Sequence, residues 1–100
     1  MKNHKILTNQ LIRIKAKVRD INGDLVDPQT IYIEISKPGD DSPTIYNTVT
    51  SPAVVKESVG LYYIDFYIDE PGRYKYSWFT LGYPEASWKG FFEAENARFV

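Results

Sequence analysis

The stretch LYYIDFYIDEPGRYKYSWF, residues 61–79, decides the fold. Tyr62, Ile64, Phe66 and Ile68 alternate with Tyr63, Asp65 and Tyr67; beyond Glu70-Pro71-Gly72, Tyr74, Tyr76 and Trp78 alternate with Lys75, Ser77 and Phe79. Only an extended strand converts a period of two into one buried and one wetted face. Proline, which lacks an N–H, and glycine, which accepts positive φ, interrupt the pattern where a turn must form. The stretch reads as strand, turn, strand.

Working outward, the same period recurs. Along Leu11–Arg19, Ile12, Ile14, Ala16 and Val18 oppose Arg13, Lys15, Lys17 and Arg19. Ile31, Ile33 and Ile35 oppose Tyr32, Glu34 and Ser36 along Thr30–Lys37. Weaker runs over Thr44–Val49 and Ala53–Val59, separated by Thr50-Ser51-Pro52, read as short strands near a sheet edge. A final strand spans Ser87–Glu95. Asp20-Ile21-Asn22-Gly23-Asp24, Pro38-Gly39-Asp40-Asp41 and Gly82-Tyr83-Pro84-Glu85 supply the turns. No window carries an apolar 3.6-residue period over three turns. The expected fold is therefore all-β, a sandwich or small barrel of about seven antiparallel strands over residues 11–95. Residues 1–10 and 96–100 flank it as an N-terminal arm and a C-terminal tail, which either fray or order on a partner.

One hundred residues suit a single core, and 43% apolar content with a net charge of −1 places the chain among folded globules. That charge argues against a dedicated nucleic-acid binder. Without cysteine there is no disulfide, thiolate metal site or cysteine nucleophile. The longest apolar run in Met1–Gln10 is Ile6-Leu7, so no signal peptide is expected, and nothing later approaches the ~20 apolar residues of a membrane span.

Glu70-Pro71-Gly72-Arg73-Tyr74-Lys75-Tyr76 resembles the turn into strand F of immunoglobulin-like domains, where an acidic and a small residue precede the tyrosine-corner Tyr. Tyr76 stands where antibody domains carry the second cysteine. The resemblance implies a cysteine-free immunoglobulin-like sandwich, held by a Tyr74 hydroxyl anchored to nearby backbone and by the packing of Tyr76 and Trp78. A fuller pattern runs through Ile12–Arg19, Asn22-Gly23, Val26-Asp27-Pro28, Thr30–Ile35, Val59-Gly60-Leu61-Tyr62, Asp69–Tyr76 and Gly90-Phe91-Phe92. In that order it is similar to small single-domain proteins encoded among the capsid and tail genes of tailed bacteriophages. What this implies is a virion structural protein made and assembled in the host cytoplasm. A capsid decoration (cement) protein is expected first, with the major capsid protein or another virion protein as partner and a homo-oligomer possible on the particle. A head-completion or tail component in few copies is the alternative.

Asp20, Asn22 and Asp24 hold the first, third and fifth places of a calcium loop, but Leu25 replaces the required glycine and Ile31 the bidentate Glu. An Asx-type turn is the ordinary reading. The only histidine, His4, lies in the arm, and no nucleophile, glycine-rich phosphate loop or zinc spacing accompanies it. No enzyme activity, metal or cofactor is expected.

Two surfaces remain as candidates. Arg13, Lys15, Lys17 and Arg19 form a basic row, expected beside Tyr32 and near Tyr63 and Tyr67. It reads either as a docking face or as the lysine guard of an edge strand. Phe79 and Phe91 form a second outward pair, either packing on a partner or covered by the Tyr83-Pro84 loop. A third function class, a carbohydrate-binding or adhesin module, would use Tyr32, Tyr63 and Tyr67 or Trp88 as stacking platforms.

Overall fold

The computed structural model describes residues 6–82 and 84–96. Alternation becomes layering in eight strands: β1 Ile6–Leu7, β2 Gln10–Lys17, β3 Thr30–Ser36, β4 Thr44–Tyr46, β5 Val55–Ser58, β6 Leu61–Ile68, β7 Gly72–Leu81 and β8 Ser87–Glu95. One sheet has the order β1-β8-β7-β3-β4 and the other β2-β6-β5. The connections β2 to β3 and β6 to β7 cross between sheets, which is the wiring of an immunoglobulin-like sandwich. All pairings are antiparallel except β1 with β8.

The inward residues read from the alternation are the core. Ile33, Ile64, Ile68, Tyr74 and Trp78 are completely buried, with Ile14, Ala16, Val18, Ile31, Ile35 and Phe66 around them. Each large side chain so buried contributes roughly 1.5 to 3 kcal/mol relative to exposure. Aromatic rings link the layers: Phe66 of β6 meets Tyr74 of β7 edge-on at 6.2 Å, and Tyr74 stacks on Phe92 of β8 at 5.0 Å. The Tyr74 Oη donates to the Glu70 carbonyl at 2.8 Å and accepts from the Glu70 N–H at 3.2 Å, so the crossing from β6 to β7 is pinned by its own tyrosine. Tyr76 lies opposite Gly90, where any Cβ would collide with the tyrosine oxygen; the ring fills the space glycine leaves.

A second pin is not legible in the sequence. Asp27, read in sequence only as part of a turn, accepts from the Gly60 N–H at 2.9 Å, the Tyr62 hydroxyl at 2.9 Å and Lys56 Nζ at 2.6 Å. Lys56 and the Gly60 amide hold its carboxyl down to about 2, while burial, and then Asp27 itself, push the Tyr62 phenol up to about 12. Gly60 is at φ 75°, and a Cβ there would meet the Val18 carbonyl oxygen at 2.9 Å.

Several boundaries differ from the sequence reading. Ile6–Leu7 and Gln10, placed in the N-terminal arm, belong to strands; Thr8 N–H bonds the Glu95 carbonyl and Asn9 N–H the Ile68 carbonyl, tying the two sheets together at one side. Met1–Lys5, including His4, and residues 97–100 of the tail lie outside the described residues. The Asp20 turn is an Asx turn, with Asp20 Oδ1 accepting from the Asn22 and Asp24 amides at 2.9 and 3.0 Å. Among the described residues no helix is long and apolar enough to cross a membrane.

Candidate interaction faces

The outer face of the three-stranded sheet is built by the odd-numbered residues of β2 and β6. Register sets Arg13 opposite Asp65, Lys15 opposite Tyr63 and Lys17 opposite Leu61. Arg13 forms a two-pronged pair with Asp65, at 2.8 and 3.0 Å, and its guanidinium lies 3.8 Å above the Tyr63 ring. That hydrogen-bonded pair raises the Arg13 pKa and lowers that of Asp65. Tyr67, half exposed, gives its hydroxyl proton to Asn9 Oδ1. Lys15 and Lys17 are exposed and have no ion-pair partner among the described residues.

Two members of the expected basic and tyrosine face lie elsewhere. Tyr32 is on β3, in the opposite sheet, because alternation tells a residue's face but not its sheet. Arg19 lies past the end of β2, in a bridge with Leu25, and its Nη1 donates to the Gly23 carbonyl at 2.8 Å; it closes the turn instead of extending the row.

The outer face of the five-stranded sheet carries the second pair. Phe79 and Phe91 do share it, on adjacent strands, but register sets Phe79 opposite Ser87 and Phe91 opposite Lys75. Four residues of strand at ~3.4 Å each separate them by about 14 Å. Phe79 is half-buried against Tyr32, ring centroids 3.9 Å apart, so its cover comes from β3; Tyr83 of the loop expected to cover it lies outside the described residues. Phe91 is 57% exposed, with the Arg73 guanidinium 4.5 Å from its ring centre. Arg73 also pairs with Glu93 at 2.8 Å.

Around Phe91 the register assembles what the sequence did not suggest. Lys75 lies directly opposite it and Lys89 diagonally across from Lys75, both exposed and without an ion-pair partner among the described residues. Three shallow depressions of about 430, 220 and 330 Å³ adjoin there, all lined by Lys75. Beside Phe91 the surface is cationic, with Arg73, Lys75 and Lys89, while Asp40 and Asp41 line the first depression and Glu34 the second. Only the cross-strand register, which no local pattern encodes, could have found Lys75 and Lys89 together.

Trp88, a candidate sugar platform, is half-buried on the inward side of β8 opposite Trp78, and Tyr63 has a ring face already occupied by Arg13. Among the described residues no three His, Cys, Asp or Glu side chains cluster as metal ligands would. No family model, curated protein or solved structure matches the chain.

Proposed function

We propose that this domain is a bacteriophage virion structural protein, a capsid decoration protein that docks on its shell through the outer face of the five-stranded sheet. The observation that carries the docking face is Phe91, a large apolar side chain 57% exposed on a rigid strand and ringed by Arg73, Lys75 and Lys89. Aromatic and arginine anchors dominate interface energetics, and burying one such ring is worth roughly 2 kcal/mol or more. The virion assignment rests on the order of motifs shared with small phage immunoglobulin-like proteins. In this reading the mechanism is passive: modest contacts, repeated by the symmetry of the shell, stabilise it against internal pressure, and no substrate is turned over.

The test is co-sedimentation of the purified chain with assembled shells, followed by counting copies per particle. Saturation at roughly hundreds of copies supports decoration; about six or twelve would assign a connector or tail ring, and failure to co-sediment overturns the reading.

A further inference from the structure

We infer that the open edge of β2 is an acceptor for an extended, acidic segment of a partner protein, added as a fourth strand to the three-stranded sheet. β2 is eight residues long and, among the described residues, pairs only with β6. The Val18 N–H to Gly60 carbonyl bond, in the same register as the β2–β6 ladder, sets the even residues of β2 toward β6. Alternation then turns the N–H and C=O groups of Leu11, Arg13, Lys15 and Lys17 outward to the free edge. In constant-type immunoglobulin sandwiches a strand lies beside this one. Here the strand that precedes it in sequence, β1, pairs with β8 in the other sheet instead.

One inward side chain at this edge is incompletely covered. Because Thr8 and Asn9 carry the chain directly from β1 to β2, the edge of β2 lies on the same side of the sandwich as β1. Ile12, the inward residue toward one end of β2, is only half-buried, whereas Ile14 and Ala16 further along the same strand are buried. An added strand would present alternate side chains to Ile12 and the others to the outer face.

Charge selects the occupant. The outward side chains along this edge are Leu11, Arg13, Lys15 and Lys17, and among the described residues only Arg13 of these has an acidic partner. A second copy of the chain adding β2 to β2 would set these cations against one another, and like charges directly opposite destabilise a strand pair. The same lysines that repel self-association attract a strand whose outward positions are Glu or Asp and whose inward positions are apolar.

The experiment is titration of the full chain with a synthetic nine-residue peptide of alternating valine and glutamate, and with its valine–lysine counterpart. Amide exchange and chemical shifts are read by NMR. The glutamate peptide is expected to slow exchange of the Arg13, Lys15 and Lys17 amides about tenfold or more, and the lysine peptide to leave them unchanged. Lys15→Pro removes an edge-facing N–H without breaking a bond to β6, and should abolish the protection. If that variant does not fold, Lys15→Glu/Lys17→Glu, a change on exposed positions, should reverse the preference between the two peptides. No protection of these amides by the glutamate peptide, protection on β8 instead, or an unchanged preference in the double variant would each overturn the inference.

Discussion

Replacing Tyr74 by Phe removes one oxygen and leaves the ring stacked on Phe92. The lost oxygen makes two hydrogen bonds to Glu70, one to its carbonyl at 2.8 Å and one from its N–H at 3.2 Å. The first is short and well formed; the second is weaker. At ~0.5 to 1.5 kcal/mol net per bond, and with Glu70 only half-buried so that water replaces part of the loss, about 1.5 kcal/mol is expected. For a domain of this size that lowers the melting temperature by about 6 to 12 °C. Tyr76→Phe is the matched control: its hydroxyl has no hydrogen-bond partner among the described residues, its ring still covers Gly90, and its cost should stay within about 0.5 kcal/mol. Chemical denaturation of both variants with an unchanged slope, beside thermal melts, gives the comparison. Equal stabilities for the two variants would refute the view that the tyrosine hydroxyl pins the β6–β7 crossing.

Asp27 predicts a pH signature. Its carboxyl titrates near 2 in the fold against an ordinary 3.8, so the unfolded chain binds the proton first. Its stabilisation is then complete above about pH 4 and is lost as pH falls toward 2. Denaturation midpoints of the wild type should drop more steeply across that window than those of Asp27→Asn, which is less stable at neutral pH; parallel curves would contradict the pairing. Gly60→Ala should cost more than Gly39→Ala by about 1 kcal/mol or more, because both glycines have positive φ but only Gly60 faces the Val18 carbonyl. Urea titrations of the two suffice. Phe91→Ala should leave the melting temperature within a few degrees while reducing shell binding about tenfold or more, since the ring is exposed in the free domain. A stability loss comparable to that of a core residue would show Phe91 to be structural.

Much of the fold was legible because strands buried on one face write their period into the sequence: β3 and β6 lie within the runs of Ile, Tyr and Phe that predict them, and β2 and β7 overlap theirs and extend one or two residues beyond. β1, two residues long, has no period to be read, whereas β4 and β5 fall inside the weaker runs over Thr44–Val49 and Ala53–Val59. The candidate faces were legible in part. Lys15, Lys17, Tyr63 and Phe91 do point outward, but Tyr32 was assigned beside the basic row although it lies in the other sheet. The role of Asp27 is hidden in the sequence for the same physical reason as the meeting of Lys75 and Lys89. Its partners Lys56, Gly60 and Tyr62 are 29 to 35 residues away in sequence, and only tertiary folding brings them together.

The most direct measurement is a density map of an intact phage particle in which the chain is located. The account predicts many symmetry-related copies on the outer shell, each with Phe91, Lys75 and Lys89 against the capsid surface. Copies confined to a ring at the portal or tail, copies with that face turned to solvent, or a particle without the chain would contradict it.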